Sequence, residues 1–341
     1  MSCFTVDGVG AEPEDGVTEA RWSTFWSDEP AGPDWCHTGI AVLDAGAIVF
    51  GAPEQGLLIV IDELNPGGRR IRTALTELHG ICAHGSVLWI ADPGIKPDPL
   101  RAYEWIESVG RAVAIDLNGE VLAELEDPHR SGRAAAPWRP TSIAVVPDGP
   151  LQGHVWVADG YGASLLHLFD PVGAFVRSID GTETGTAFSC PHGLLVATMA
   201  SQSLLLVADR RNRRIVRMTT SGDLVDTLSD ELIRSPSCLA SGAGRIVLTE
   251  LDGALLGLDD RMCVSELVAR GARLENPQGW PERPGWPNIL VGESLQRPPL
   301  QVGFLNSPHG VAVGPNGEVH VTEWVIGGRF VTILPTTPTT P

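Results

Sequence analysis

Short apolar runs separated by turns rich in Gly, Pro, Asp and Asn recur along most of the chain. The clearest unit lies between Cys190 and Met218, CPHGLLVATMASQSLLLVADRRNRRIVRM. A Pro-His-Gly turn opens it, an apolar strand follows at Leu194 to Val196, and a loop leads to a β-rich run at Leu204 to Val207. Ala-Asp-Arg and a last strand, Ile215 to Met218, close it. Apolar runs this short, bounded by turn residues, read as strands, and no stretch keeps a helical period over three turns. Parts of the unit return from Leu78, from Arg139 and from Ser307, with looser copies from Cys36 and from Ser235. Six copies of one supersecondary unit point to a closed repeat fold, because a single unit cannot bury its own apolar face.

The fold expected is therefore all-β, a six-bladed β-propeller with long loop insertions, covering residues 17–335 between flexible tails at 1–16 and 336–341. Thr18 to Trp26 is expected to add the outermost strand of the last blade, since a ring must hide its free edge. Blades start near His37, Leu78, Pro140, Pro191, Pro236 and Pro308. Two insertions interrupt them. Residues 93–110 fall between the second and third strands of blade 2, and 270–306, carrying Trp280 and Trp286, precede blade 6 and are expected to pack as a lid.

Composition narrows the functions open to such a ring. With 43% hydrophobic residues the chain can bury a large core, and 24 basic against 42 acidic residues give a net charge of −18. Phosphate-rich partners need a positive field, so neither nucleic acid nor an anionic membrane surface is expected as a partner. The first residues have no basic stretch followed by an apolar one, which is not the pattern of a signal peptide. Six scattered cysteines without a CxxC spacing fit a reduced, cytoplasmic protein.

Aligned at the first turn, the copies place one residue before each Gly or apolar step: Thr38, His79, Thr141, His192, Ser237 and His309. Histidine falls in every even blade and a small hydroxyl residue in every odd one. The start of each innermost strand faces the axis of a propeller, so three imidazoles from alternate blades can converge on one ion. Three histidines with a fourth position open is how catalytic zinc (Zn2+) is held. The other histidines, His37, His84, His129, His154, His167 and His320, do not share this phase.

A second ring of positions ends each blade's second strand: Asp92, Asp159, Asp209, Glu250 and Glu323. These acids are expected to cap backbone N–H groups of the following turn. Tyr161 and Arg210 follow two of them and can lean over the mouth of the channel. A phenol beside a metal ion and an arginine has its pKa drawn down, which makes Tyr161 a candidate general base and Arg210 a charge-stabilising partner.

Read through these residues, the chain resembles the NHL-repeat propellers. Within that group it is similar to peptidylglycine α-amidating lyase, which splits a peptidyl-α-hydroxyglycine into peptide amide and glyoxylate. The resemblance covers most of residues 36–335 and rests on HGICAHGSVLWIADP, PTSIAVVPDGPLQGHVWVADGYG, CPHGLLVATMASQSLLLVADRRNRRI and SPHGVAVGPNGEVHVTEW. It implies zinc at His79, His192 and His309, a catalytic Tyr161 after an Asp-Gly pair, and an active-site Arg210 after Ala-Asp. Three departures matter. The family's cysteine after the tyrosine is Gly162, the acid that would serve its calcium site is Gly310, and GAPEQG from Gly51 offers no blade-1 arginine. The expected activity is thus a zinc-dependent lyase acting on a small-molecule or peptide-like carbinolamine. Two other readings stay open: a propeller lactonase or related hydrolase, and an NHL propeller that binds partners without catalysis.

Overall fold

Six four-stranded antiparallel sheets make up the blades of a β-propeller. The computed structural model describes the backbone of residues 21–24 and residues 32–129, 136–199, 202–259, 261–270 and 285–334 in full. The two tails expected at 1–16 and 336–341 lie outside these described residues, as does Trp280.

Blade 1 runs outward from Ile40–Val42 to Arg69–Arg72, and blade 2 from Gly80–His84 to Val121–Glu124. Blade 3 runs from Ser142–Val145 to Phe175–Ile179, and blade 4 from Pro191–Met199 to Leu224–Leu228. Blade 5 spans Pro236–Gly242 to Val264–Val268, and blade 6 begins with Pro308–Val313. The outermost strand of blade 6 comes from the other end of the chain. Arg21–Thr24 pairs antiparallel with Arg329–Leu334, setting Trp22 opposite Ile333. The innermost strands pack in sequence from blade 1 to blade 6 and back to blade 1.

The core is divided among the six seams between neighbouring blades. Leu58, Val60, Leu88, Ile90 and Val113 fill the seam of blades 1 and 2. Ile40, Phe50, Ala312 and Phe330 fill the closing seam of blades 1 and 6. Middle strands are buried on both faces, so they read as continuous apolar runs, whereas the outermost strands alternate (Phe175–Ile179, Leu224–Leu228).

Of the acids at the end of each second strand, Asp92 and Asp159 cap the following turn as expected, whereas Asp209, Glu250 and Glu323 take their backbone N–H groups from the segment entering the blade instead. Asp92 accepts from Gly94 N at 2.8 Å, but also from Thr76 N at 2.7 Å and Glu77 N at 3.0 Å, on the chain entering the same blade. Asp159 likewise accepts from Arg139 N and Ala163 N, both at 2.8 Å. Asp209 takes Ser189 N at 2.8 Å, Glu250 takes Ser235 N at 2.5 Å, and Glu323 takes Ser307 N at 3.0 Å. Each carboxylate ties the entrance of its blade to the end of the second strand. The first residues of the inner strands, which face the axis, are thereby fixed.

The insertion of blade 2 is a hairpin, Ile95–Asp98 with Glu104–Glu107. In the excursion before blade 6, Ile289–Val291 pairs with Ser294–Gln296 and Trp286 is buried. That segment is fastened to the loop after Glu323: Ile326 N donates to Asn288 Oδ1 at 2.9 Å, and Arg297 Nη2 donates to Gly328 O at 2.8 Å.

Candidate metal centre

Each even blade opens with His-Gly, and both residues have a local reason. His79 Nδ1 lies 2.6 Å from Thr141 O, His192 Nδ1 lies 2.9 Å from Ser237 O, and His309 Nδ1 lies 3.1 Å from Thr38 O. Every acceptor is the backbone carbonyl of the aligned residue in the next blade. A carbonyl cannot donate, so Nδ1 carries the proton in all three rings and the Nε2 lone pair faces the axis. The following glycine permits this approach. A Cβ at Gly80 would fall 2.6 Å from Thr141 O, and one at Gly193 would fall 2.5 Å from Ser237 O. Gly193→Ala is therefore expected to push blade 5 off His192. Crowding of this kind costs about 1–3 kcal/mol of stability, and loss of a histidine's outer partner weakens metal binding roughly 10–100-fold. Denaturant unfolding and a chelator competition titration measure the two effects.

The structure brings His79, His192 and His309 together with a fourth imidazole. The donor atoms of His37, His79, His192 and His309 all lie within 4.8 Å of one another, and all four rings are buried. His37 lies outside the phase of the repeat, as read from the sequence, yet the fold adds it to the three predicted histidines. It sits one residue before the aligned Thr38, stacks on Trp324 at 4.8 Å, and its Nδ1 has no hydrogen-bond partner. Trp324 stacks in turn on Trp35 at 5.5 Å. Tyr103, from the blade-2 insertion, meets Trp35 edge-on at 6.0 Å. Lys96 of the same insertion is buried, 2.6 Å from Glu77 Oε2 and 3.1 Å from Trp35 O.

Tyr161 closes the cluster. Its hydroxyl stands 2.9 Å from His192 Nε2, 3.2 Å from His79 Nε2 and 3.2 Å from His37 Nε2, while His309 Nε2 is 3.2 Å from His79 Nε2. The Arg210 guanidinium lies over the Tyr161 ring, 5.5 Å from its centroid, and Nη2 is 3.1 Å from Cys190 Sγ. Both residues named from the sequence are therefore at the histidines. Gly160 and Gly162 let the Tyr161 turn nest here: a Cβ on Gly162 would fall 2.2 Å from Asp159 Oδ1.

Burial holds the four imidazoles well below the ordinary histidine range, to about 3 for His309, so they are neutral near pH 7. Burial also pushes Tyr161 up to about 12, against the opposing pull of Arg210. The lowering expected for this phenol does not come from Arg210 alone; it needs a further positive charge at the centre. Hydrogen-bond counting gives the same answer. His79, His192 and His309 aim acceptor nitrogens inward, and one phenolic proton cannot satisfy them all. The spacings also suit an ion. Zinc bonds of about 2.0–2.1 Å in a tetrahedron set neighbouring donors roughly 3.3 Å apart; His79 Nε2 and His309 Nε2 are 3.2 Å apart, and all four histidine donors lie within 4.8 Å of one another. The residues present thus fit a divalent, imidazole-binding ion. They do not fit the calcium site of the resembling family, because a Cβ at Gly310 would fall 2.6 Å from Thr322 Oγ1 and leaves no room for a carboxylate.

Beyond the histidines the channel continues as a cavity of about 290 Å³, lined by residues of the innermost strands such as Ala83, Val145, Val196, Ala240 and Val313. Tyr161 and Arg210 do not line it. Among the described residues Cys36, Cys82, Cys190, Cys238 and Cys263 are free thiols, and no helix is long and apolar enough to cross a membrane.

The fold and the histidine cluster together define a six-bladed propeller with a candidate metal centre on its axis. No family model matches the chain. It is 39% identical over 83 residues to peptidyl-glycine alpha-amidating monooxygenases B and A of Xenopus laevis; the match takes in 23% of this chain but only 9% and 8% of those proteins. Among solved structures it is similar to a streptogramin B lyase, with TM-score 0.56 and 15% identity over 93% of this chain and 98% of that one. Virginiamycin B lyase from Staphylococcus aureus gives TM-score 0.53 and 13% identity over 93% and 99%. At such identities these structures share the propeller architecture.

Proposed function

We propose that the chain is a zinc-dependent lyase that breaks a carbinolamine C–N bond, as in amidating lyases, on a different or smaller substrate. The observation that carries this reading is the convergence of three Nε2 lone pairs, each aimed by a neighbouring blade's carbonyl, on a point also reached by the Tyr161 hydroxyl. The local similarity to amidating monooxygenases and the lyase propellers among the structural neighbours point the same way.

A bound zinc ion would supply Lewis acidity and the positive charge that favours loss of a proton from the phenol and from a substrate hydroxyl. Tyr161 would take the proton of the substrate hydroxyl. As the carbonyl forms, the C–N bond breaks, its electron pair goes to nitrogen, and the departing amide nitrogen would take back the proton that Tyr161 removed from the hydroxyl. Arg210 would hold a substrate carboxylate or offset negative charge in the transition state. Gly51 to Gly56 supply no arginine on the blade-1 side, so a substrate unlike a peptidyl-hydroxyglycine is favoured. The hairpin of residues 93–110 and the segment before blade 6 would shape the entrance. We further propose a reducing, cytoplasmic setting with small-molecule or peptide-like substrates.

The test joins elemental analysis of the purified chain to a screen of N-acyl-α-hydroxyglycines and smaller α-hydroxy amides, read by release of the aldehyde. A metal-bearing protein that releases aldehyde from one class supports the reading. A chain that takes up no metal at the axis, or a metal-loaded one inert across the panel but active on lactones, overturns it.

A further inference from the structure

A second group of buried donors lies away from the axis, on the outer side of the Tyr161 turn. His129 follows blade 2, His167 lies in the third strand of blade 3, and Asp159 ends the second strand of that blade. One donor atom of each lies within 4.8 Å of the others. His129 Nε2 is 3.1 Å and His167 Nε2 is 3.8 Å from Asp159 Oδ2. We propose that His129, Asp159 and His167 form a second divalent-cation site of the zinc type, independent of the ion on the axis.

The donors are prepared for a cation. His129 Nδ1 donates to Ala136 O, so its Nε2 is the ring atom turned toward Asp159 Oδ2; His167 Nδ1 pairs with Ser178 Oγ at 2.8 Å. Neither Nε2 makes a hydrogen bond of acceptable geometry, although both are buried. The side chains of His129, His167 and Asp159 are 8%, 1% and 0% exposed. Asp159 Oδ1 accepts Arg139 N and Oδ2 accepts Ala163 N, which fixes the carboxylate and leaves further acceptor capacity on Oδ2. Two imidazoles and a carboxylate, each held by an outer partner, form a common donor set for zinc, with remaining positions for water.

Such an ion would have a structural consequence at the axis. Asp159 also carries the turn of Tyr161: its backbone carbonyl accepts Gly162 N at 3.2 Å and Ser164 N at 3.0 Å. A cation here would join the connection after blade 2 to the middle of blade 3 and hold that turn in place. The competing occupant of this geometry is a proton, giving an imidazolium–carboxylate pair between His129 and Asp159.

Metal-stripped full-length chain is titrated with Zn2+ and analysed by elemental stoichiometry after gel filtration. The expected result is two equivalents for the wild type and one for a His129→Gln, His167→Gln variant. The His79→Ala, His192→Ala, His309→Ala variant, which keeps the second cluster whole, is expected to retain one equivalent and to melt at a higher temperature with Zn2+ than with chelator. A double glutamine variant that binds as much zinc as the wild type overturns the proposal. So does a folded triple alanine variant that binds none, the outcome expected of a proton-linked pair. If the glutamine variant fails to fold, the triple variant alone decides. Loss of one equivalent in the triple variant bears on the axial centre, so the two sites fail separately.

Discussion

The His79→Ala, His192→Ala, His309→Ala variant is expected to bind one metal equivalent fewer than the wild-type chain and to lose turnover completely. The size of the effect follows from how the rings are built in. Each is buried, neutral and oriented by a carbonyl of the neighbouring blade, so its lone pair faces the axis before any ion arrives. Disturbing an outer partner of a ligating histidine already costs roughly 10–100-fold in affinity, and removing ligands outright costs more. His192→Ala alone is expected to release the axial ion under a chelator that leaves the wild type loaded. His37→Ala separates a three-histidine centre from a four-histidine one. His37 has no Nδ1 partner to fix its tautomer, so its loss is expected to weaken the ion less than loss of His192. Elemental stoichiometry and chelator competition measure both. Unchanged stoichiometry in the triple variant would remove the axial ion from the account.

Much of this arrangement was legible because a repeat converts sequence phase into angle around an axis. Counting from the residue before each Gly or apolar step placed His79, His192 and His309 in alternate blades, and the structure brings their donor atoms together. The strand within Thr18 to Trp26 was legible as well, since a ring with an exposed edge needs a closing partner, and Arg21–Thr24 provides it. What the phase could not show was a residue out of phase. In blade 1 the aligned position is Thr38, whose hydroxyl is spent on Gly51 O at 2.7 Å, and His37 stands one step earlier. Its inward position rests on contacts with His79, His309 and Trp324, from other blades, and no local pattern encodes them. The odd-blade residues were legible as small hydroxyl side chains, yet the part they play for the histidines comes from their backbone carbonyls. A backbone acceptor leaves no mark on residue choice except through the glycine that lets it approach. The same limit hid His129 and His167, which meet Asp159 through a connection between blades and a middle strand.

Tyr161→Phe is expected to keep the axial metal and lose about 10²–10⁴-fold in kcat, the range typical of removing a general acid or base. The ring would keep its place beneath Arg210, because the guanidinium faces the ring and not only the hydroxyl. What disappears is a hydroxyl within 3.2 Å of three imidazole nitrogens. KM should change little, since the hydroxyl would act on a proton moved in the transition state and bring little ground-state binding. The pH profile separates this role from simple packing. Burial pushes the phenol up to about 12, and ionisation is favoured only when positive charge is added at the centre. The wild type should then show an alkaline-rising limb whose midpoint falls below 12 in the metal-loaded enzyme. The phenylalanine variant should lack that limb. A variant with wild-type kcat and an unchanged profile would assign the proton transfer to another group, and His37, with its unpartnered Nδ1, would be the next residue to test.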